Sequence, residues 1–212
     1  MMPPMLKDEA ADCLRRWGLE LPDSGWELLD KYVKDVLEYN RRVNITAARD
    51  AAELMRRHVL DGMAAVAPLR TRLGECPRLL DVGAGAGFIG FGLKIAWPAA
   101  DVTLMESSYR KYCFLNLASA RLALPGLTVL QERAGPGTAG GYDGVLARAL
   151  APLAEARRIL LPLVRPGGKA VVYQSDPPAE PGADWDETLA YRLPGESKDR
   201  HLVIFRRGNE SA

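Results

Sequence analysis

The chain has 212 residues and a net charge of +1, with 28 lysines and arginines against 27 aspartates and glutamates. Its 48% hydrophobic residues, 20 glycines and 15 prolines are typical of an ordinary globular domain and exclude a disordered, collagen-like or coiled-coil chain. A chain of this length buries roughly 70% of the surface that its unfolded form exposes, so it needs no disulfide or structural metal to form a core. The charge balance gives no overall preference for nucleic acid, so any basic surface must come from local placement.

The cysteines and histidines argue against a metal site. Cys13, Cys76 and Cys113 form no CxxC pair, and two histidines are too few for zinc. Their odd number favours reduced thiols inside a cell. The first residues lack the basic start and apolar stretch of a signal peptide, and no apolar run approaches the roughly 18 residues of a membrane span. We therefore expect a cytoplasmic protein that binds neither metal nor membrane.

The first third of the chain has a helical pattern. From Lys7 to Val66, apolar residues recur every three or four positions, which predicts two or three helices. Asp23 and Ser24 are expected to cap a helix there. After position 77 the pattern changes to short apolar runs separated by glycine and proline, which predict strands. The predicted strands are 78–82, 101–105, 127–131, 144–147, 169–173, 188–193 and 201–205.

Helical patterns separate these strands, at 87–97, 108–122 and 152–163. Strands that alternate with helices predict a largely parallel sheet with helices on both faces. The last two strands have no long helix between them, so that pair is compatible with an antiparallel arrangement. Residues 134–141 and 176–182 are predicted to be loops.

A glycine-rich turn follows the first predicted strand. After Asp81, glycines alternate at Gly83, Gly85 and Gly87, and a helical pattern begins. Such glycines let the backbone turn sharply and approach a ligand with no Cβ in the way, presenting N–H groups and a helix N-terminus. Glu106 follows the second strand, where a carboxylate can accept both ribose hydroxyls of a nucleoside. The pattern favours a nucleoside site over a tight turn beside a solvated strand end.

The identity of the nucleoside follows from the spacing. A dinucleotide fingerprint requires glycine at the sixth position of GxGxxG, counted from Gly83, and that position is Phe88. A carboxylate at Asp81 fits poorly beside a pyrophosphate but suits a cationic ligand. S-adenosylmethionine carries an ammonium and a sulfonium, which Asp81 and Glu106 would bracket. The turn therefore favours S-adenosylmethionine over NAD.

The alternating strands and helices, together with this turn, predict an α/β fold of the Rossmann-like class I methyltransferase type. We expect a mostly parallel seven-stranded sheet with helices on both faces. We expect one domain over residues 1–212, in which 1–76 form a helical extension and 77–212 form the Rossmann-like core.

The loop after the fourth strand is where the reaction would occur. It contains Arg148 but no Asn/Asp-Pro-Pro-aromatic motif of the kind that serves exocyclic amines, and the positions of the three cysteines disfavour a pyrimidine C5 mechanism. The remaining target is a free lone pair, and guanine N7 qualifies because it bears no proton to remove. Arg148 either hydrogen-bonds guanine or phosphate, or forms a salt bridge with a carboxylate such as Asp81 or Glu106.

Further motifs accompany the glycine turn along the chain. In order they are Asn44-Ile45-Thr46, His58 with Asp61, the 81–88 turn, Gly90, Glu106-Ser107, Arg110-Lys111, Phe114-Leu115, Arg133-Ala134 and Arg148-Ala149. In their order and spacing, these motifs resemble the GidB/RsmG methyltransferases over nearly the whole chain. The resemblance implies transfer of a methyl group from S-adenosylmethionine to N7 of one guanine in 16S ribosomal RNA, with 16S rRNA or the 30S subunit as partner and no metal. We expect a monomer.

The resemblance assigns two groups of site residues. The cofactor is expected to contact Asp81, Gly83, Ala84, Gly85, Gly87, Phe88, Glu106, Ser107, Arg133, Ala134 and Arg148. The methyl-transfer pocket is expected to involve Arg148, Asn44, Thr46, His58 and Asp61.

Several of these residues keep a structural alternative. His58 and Asp61 lie three residues apart on one helical face. They are either a surface pair or a buried hydrogen-bonded histidine, or they brace the pocket wall or orient Asn44 and Thr46. Asn44 and Thr46 either cap the next helix or contact the methionine end of the cofactor. A group of cations forms either a rim for RNA phosphates or a solvated helix face: Arg41, Arg42, Arg49, Arg56, Arg57, Arg110 and Lys111.

The chain departs from the family pattern at three places. Ile89 and Gly92 replace prolines, which predicts a looser first turn of that helix. Gly135-Pro136-Gly137 stands where acidic residues are common, and Gln174-Ser175 replaces a Lys-Gly pair, which removes a possible phosphate contact. Two other functions stay open: a small-molecule methyltransferase of the same fold, and a non-catalytic RNA-binding module that retains the nucleoside pocket for stability.

Overall fold

The computed structural model describes residues 3–178 and 185–208. The predicted loop at 176–182 lies partly outside the described residues. Five α-helices precede the sheet, and a π-helical turn, Met55–Val59, joins the third to the fourth. They are α1 (Pro4–Arg16), α2 (Asp23–Asn40), α3 (Ala51–Leu54), α4 (Leu60–Met63) and α5 (Val66–Leu73).

In the described ranges, seven strands and three further helices follow. The strands are β1 (Arg78–Val82), β2 (Asp101–Met105), β3 (Leu127–Leu130), β4 (Tyr142–Arg148), β5 (Val164–Gln174), β6 (Glu187–Tyr191) and β7 (Arg200–Arg206). The helices are α6 (Phe88–Ala96), α7 (Tyr109–Leu122) and α8 (Leu153–Leu160), the last of which continues into a 3₁₀ turn, Leu161–Leu163.

The strands form one sheet in the order β3-β2-β1-β4-β5-β7-β6. The first five strands pair in parallel, whereas β7 is antiparallel to both β5 and β6. The predicted fold class, a mostly parallel seven-stranded sheet behind N-terminal helices, is therefore confirmed. Strands β2 and β3 are added on one side of β1, and β4 and β5 are added on the other side. Ligands of such sheets bind at the carboxyl ends of the strands near this change in strand order.

The predicted strands at 78–82 and 101–105 match β1 and β2 in full. The largest difference concerns β5, which begins at Val164 and not at 169. Its first part contains Gly167 and Gly168, and its pairing with β4 shifts register between Tyr142 and Gly144. Glycines at an irregular strand start hide the alternating pattern from which strands are predicted.

The predicted cap of α2 was wrong. Pro22 occupies the cap position with extended backbone, no side chain caps the helix, and Asp23 is already the first helical residue. Asp23 instead lies in the first turn, where a carboxylate interacts favourably with the helix dipole.

Two apolar layers cover the sheet. Leu79, Leu104 and Leu146 pack with α6, α7 and the N-terminal helices, whereas Leu80 and Val145 pack on the other face with α8. Every residue of α6 is buried, because this helix lies between the sheet and the N-terminal helices. The N-terminal helices therefore fix the position of α6, and α6 begins at the glycine turn.

Candidate active site

The glycine turn after β1 exposes bare backbone at the carboxyl end of the sheet. Gly83, Gly85 and Gly87 have φ angles of +70°, +62° and +84°, a left-handed conformation that favours glycine. A Cβ at Gly85 would meet only the Gly83 carbonyl oxygen, 3.9 Å away, so the space above this residue is open. A Cβ at Gly87 would lie 2.6 Å from the Phe91 ring, so this glycine serves packing at the start of α6. The turn therefore provides an open cradle for a ligand.

Glu106, just beyond β2, closes one side of this cradle. One carboxylate oxygen accepts the Gly85 N–H at 2.9 Å, and the other accepts the Ser108 N–H at 2.7 Å. Each carboxylate oxygen has a further lone pair for an additional donor. Ser107 is exposed beside it. The carboxylate is thus held against the turn with acceptor capacity left for hydroxyl groups.

Asp81 lies beneath the turn. Its side chain is 1% exposed and accepts the Gly90 N–H of the first turn of α6 at 2.9 Å. Burial raises the pKa of Asp81 to about 7, although the Gly90 hydrogen bond and the Arg148 charge both lower it. Asp81 therefore holds the start of α6 against the turn. The ionisation of this carboxyl group is sensitive to nearby charges. Its direct contact with a cofactor stays a prediction.

Arg148 ends β4 and pairs with Asp61. Its Nη1 donates to Asp61 Oδ2 at 2.5 Å, and its guanidinium carbon lies 5.6 Å from the centre of the Phe88 ring. Of the two alternatives, the salt bridge exists, but the predicted partners Asp81 and Glu106 were wrong. Asp61 comes from α4, 87 residues earlier in the chain, so no local pattern indicates the pair.

Asp61 is the centre of a buried polar network. Its carboxylate is 1% exposed and also accepts the Tyr191 hydroxyl at 2.5 Å, while Arg200 Nη1 lies 3.2 Å from the same oxygen. Arg200 in turn donates two hydrogen bonds to Glu196. Burial and the Asp61 charge raise the pKa of Tyr191. Tyr191 and Arg200 were missed from the sequence, because the antiparallel end of the sheet brings them there from a distance.

His58 braces the wall of the site. Its ring stacks on Phe88, with ring centres 4.8 Å apart and 20° between the planes. Burial lowers the pKa of His58, and the Arg148 charge lowers it further, so the imidazole is neutral at neutral pH. Within the described residues, no hydrogen bond joins His58 to Asp61, whose buried carboxylate instead binds Arg148 and Tyr191. The surface-pair alternative is therefore wrong.

The loop between α2 and α3 is organised by Asn40. Its side-chain oxygen accepts the N–H groups of Ile45 and Thr46, and its amide donates to the Thr46 carbonyl at 2.9 Å. The cap of α3 is Asp50, which accepts the Glu53 N–H at 2.8 Å. The prediction that Asn44 or Thr46 caps this helix was therefore wrong.

Of these two residues, Asn44 is exposed and Thr46 accepts the Ala48 N–H at 3.3 Å. Their contact with the cofactor stays a prediction.

Arg133 and Ala134 follow β3 at the same edge of the sheet as the glycine turn. The Glu106 N–H donates to the Leu130 carbonyl at 3.0 Å, so this loop starts beside the acidic residue of the cradle. Arg133 is exposed, and Ala134 packs against the apolar layer under α8. Their predicted cofactor contacts are compatible with this placement but stay predictions.

The basic residues differ in their surroundings. Arg56 pairs with Glu9, and Arg57 lies 3.7 Å from Glu196. The end of α2 and the start of α7 lie together, because the Tyr39 hydroxyl donates to the Arg110 carbonyl at 3.4 Å. These two neighbouring helix ends carry four exposed or half-exposed cations: Arg41, Arg42, Arg110 and Lys111.

Within residues 3–178 and 185–208, no three His, Cys, Asp or Glu side chains are arranged to bind a metal ion. No helix in the same ranges has the length and apolar character needed to cross a membrane.

The strand order, the open glycine cradle after β1 and the acidic residue after β2 define a Rossmann-like class I methyltransferase. Two solved methyltransferases share this fold. An RNA methyltransferase from Salinibacter ruber in complex with S-adenosyl-L-homocysteine is 17% identical, with a TM-score of 0.51, and the match covers 70% of this chain and 93% of that one. Magnesium protoporphyrin IX methyltransferase from Synechocystis, with bound SAM, is 14% identical, with a TM-score of 0.58, and the match covers 84% and 97%.

The chain belongs to the GidB family, rRNA small subunit methyltransferase G, whose family model matches residues 26–190. A ribosomal RNA small subunit methyltransferase G from Leptothrix cholodnii is 33% identical over 196 residues, which cover 89% of this chain and 90% of that protein. The protein of the same name from Roseiflexus castenholzii is 40% identical over 170 residues, covering 76% and 70%. The predicted resemblance is thus confirmed, and with it a methyltransferase that uses S-adenosylmethionine.

Proposed function

We propose that this chain transfers the methyl group of S-adenosylmethionine to N7 of a guanine in 16S ribosomal RNA, acting as a monomer in the cytoplasm. The observation that carries this proposal is the position of the Arg148–Asp61 pair. It lies at the end of β4, which neighbours β1 and its glycine turn in the sheet. The family assignment supports the ribosomal substrate.

The residues of the cradle fit the cofactor. When bound, S-adenosylmethionine supplies an electrophilic methyl carbon on a positively charged sulfur. Gly85 leaves room for it, and Glu106 presents a fixed carboxylate for the ribose hydroxyls. Asp81 places negative charge beneath the turn when it ionises. Ala84, Phe88, Ser107, Arg133 and Ala134 complete the proposed cofactor site, and Gly87 contributes by letting the turn pack closely against α6.

The acceptor side requires no catalytic base. Guanine N7 has a free lone pair, so the protein contributes alignment and a compatible electrostatic environment. N7-methylguanine carries a positive charge. The charges of Arg148 and Arg200 are balanced by Asp61 and Glu196, so this wall does not repel a cationic product.

We propose that the RNA meets the surface where α2 ends and α7 begins. The cations there lie beside Tyr109, which follows Glu106 by three residues and is 66% exposed. Phosphate oxygens bind to such cations, and exposed aromatic rings stack on unpaired bases. The extension 1–76 and the core 77–212 would act as one domain, because α4 packs on α6 next to the cradle.

The test is transfer of labelled methyl from S-adenosylmethionine to 30S particles, and in parallel to naked 16S rRNA, from a strain that lacks the modification. The labelled nucleotide is then located by primer extension after N7-specific cleavage. Label at one guanine supports the proposal. Label on a small metabolite alone would favour the small-molecule methyltransferase. No label, together with no S-adenosylhomocysteine binding at millimolar ligand in calorimetry, would favour the RNA-binding module.

A further inference from the structure

A second compartment lies beside the glycine cradle, at the carboxyl ends of β4 and β5. It is a cavity of about 260 Å³, bounded by Arg148 from β4, by Tyr173 and Gln174 from β5 with the adjacent Ser175, and by Asp61 and Arg200. This is the volume of roughly nine water molecules at about 30 Å³ each, which is enough space for one purine base.

The segment 148–151 forms a wall shared by the cavity and the cradle. Arg148, Ala149 and Ala151 line the cavity. On the cradle side, the Leu150 methyl lies 3.4 Å from the position of a Cβ on Gly83, and the Arg148 guanidinium lies beside Phe88. Ala149 adopts a left-handed conformation with φ +52°, which turns the chain between the two compartments. A group held in the cavity is therefore next to whatever the cradle binds.

Most polar groups around the cavity are already paired. Asp61 accepts from Arg148 and Tyr191, the Tyr173 hydroxyl donates to the Gly62 carbonyl at 2.9 Å, and Arg200 binds both Asp61 and Glu196. These groups hold the walls in place and have little capacity left for a ligand.

Three side chains retain hydrogen-bonding capacity. In the described part of the chain, the Gln174 carboxamide and the Ser175 hydroxyl have no hydrogen-bonding partner, and Arg148 has N–H groups besides the one bound to Asp61. Arg148 offers only donors, whereas Gln174 and Ser175 also offer acceptors. The cavity therefore has a donor on the β4 side and acceptors on the β5 side.

We propose that this cavity binds the target guanine, with Arg148 donating to O6 while Gln174 and Ser175 accept from N1–H and the N2 amino group. The proposal rests on the proposed function and specifies how its substrate is recognised. Adenine would present an amino group to Arg148 and no N–H at N1 to Gln174, so the same arrangement rejects it. Gln174 and Ser175 are thus assigned as base-reading residues.

This orientation keeps N7 available. A guanidinium that binds guanine in the usual bidentate manner occupies both O6 and N7, which would block the lone pair that must react. Asp61 fixes one end of the Arg148 guanidinium, so a single donor to O6 is the arrangement compatible with methylation. The Asp61–Arg148 pair would therefore hold the arginine away from bidentate binding.

The proposal is tested by steady-state kinetics with 30S particles that lack the modification, using Gln174→Ala, Gln174→Glu and Ser175→Ala. Each alanine variant is expected to raise KM for the particle about fivefold, the effect of one lost hydrogen bond. We expect kcat to stay within about twofold, because the same bond is made before and during the reaction. The Kd for S-adenosylhomocysteine should not change. Asn116→Ala, which removes an exposed amide on α7, is the matched control.

Gln174→Glu distinguishes the direction of the hydrogen bond. A carboxylate accepts from guanine as the carboxamide does, so KM should stay near the wild-type value. If Gln174 instead donates to a phosphate, Gln174→Glu should be worse than Gln174→Ala, which would overturn the assignment. Unchanged KM in both alanine variants, or weaker S-adenosylhomocysteine binding, would also overturn it. An inactive wild-type protein would reject the proposed function itself, and with it this inference.

Discussion

Gly62 of α4 and Phe88 of α6 are in backbone contact. A Cβ on Gly62 would lie 2.2 Å from the Phe88 carbonyl oxygen and 3.0 Å from the Ile89 Cα. Gly62 immediately follows Asp61, and Phe88 immediately follows the last glycine of the turn. This contact therefore sets the distance between the carboxylate that pairs with Arg148 and the cradle.

Gly62→Ala is expected to destabilise the protein by about 3 kcal/mol or more, because one backbone segment must move away from another. Urea unfolding followed by circular dichroism measures the change. Gly135→Ala is the control, since a Cβ there meets nothing within 4 Å, and it should change stability by less than about 1 kcal/mol. Equal stabilities of the two variants would mean that α4 and α6 are not packed as described.

Asp61→Ala leaves Arg148 and Arg200, with side chains only 24% and 19% exposed, without their shared partner. Loss of one member of a buried ion pair destabilises proteins by about 3–5 kcal/mol. We expect Asp61→Asn to be better tolerated in stability but to lower kcat roughly 100-fold, because Arg148 is no longer held in place. Unfolding and methyl-transfer assays check both effects.

Tyr191→Phe is the control for Asp61, because it removes one hydrogen bond from the same carboxylate. It should cost about 1 kcal/mol of stability and leave kcat largely unchanged. If Asp61→Asn keeps the wild-type kcat, the Asp61–Arg148 ion pair has only a structural role.

Glu106→Ala should weaken S-adenosylhomocysteine binding about 10- to 100-fold, because it removes a charged acceptor that also fixes the Gly85 N–H. Isothermal titration calorimetry measures the Kd. Glu155→Ala, an exposed carboxylate in the first turn of α8, is the control and should bind normally. An unchanged Kd in Glu106→Ala would remove this residue from the cofactor site.

Asp81 makes stability depend on pH. Its pKa in the folded protein is about 7, whereas an unfolded aspartate has a pKa of about 3.9. The unfolded state releases its proton first, so stability falls as pH rises from about 4 to about 7. Between pH 5 and pH 8, this residue should lower the free energy of unfolding by about 2–3 kcal/mol.

Asp81→Asn keeps an acceptor for the Gly90 N–H and removes the titration. Its stability, measured in urea, should therefore fall less than that of the wild type over the same pH range. If the free energy of unfolding changes with pH in the same way in both proteins, the raised pKa of Asp81 is contradicted. The variant also tests the cofactor assignment, since affinity for S-adenosylmethionine should drop when the ionised carboxylate is absent.

The sequence was sufficient where the signal was local. The strand before the turn, the alternating glycines and the acid after β2 lie within a short stretch, and the structure places the glycines and the acid at one site, where Gly85 donates to Glu106. The bounds of β1 and β2 were correct because these are short apolar runs limited by glycine, proline and charged residues.

Long-range pairing was not predictable. Asp61 lies on α4, Arg148 on β4 and Tyr191 on β6, and only the folded sheet brings them together. The same reason explains the wrong partners assigned to Arg148, which were chosen from neighbouring strand ends. Asn40 was overlooked because a single amide in a polar segment carries no periodic signal.

The π-helical turn at Met55–Val59 has a consequence for the helix that follows it. It holds one more residue than an α-helical turn would, with His58 stacked on Phe88 from within it and Asp61 paired with Arg148 just after it. If the same residues took regular α geometry, the surplus residue would rotate everything after it by about 100° about the helix axis. The wider winding of this short segment therefore decides whether the histidine and the aspartate can both face the centre of the enzyme.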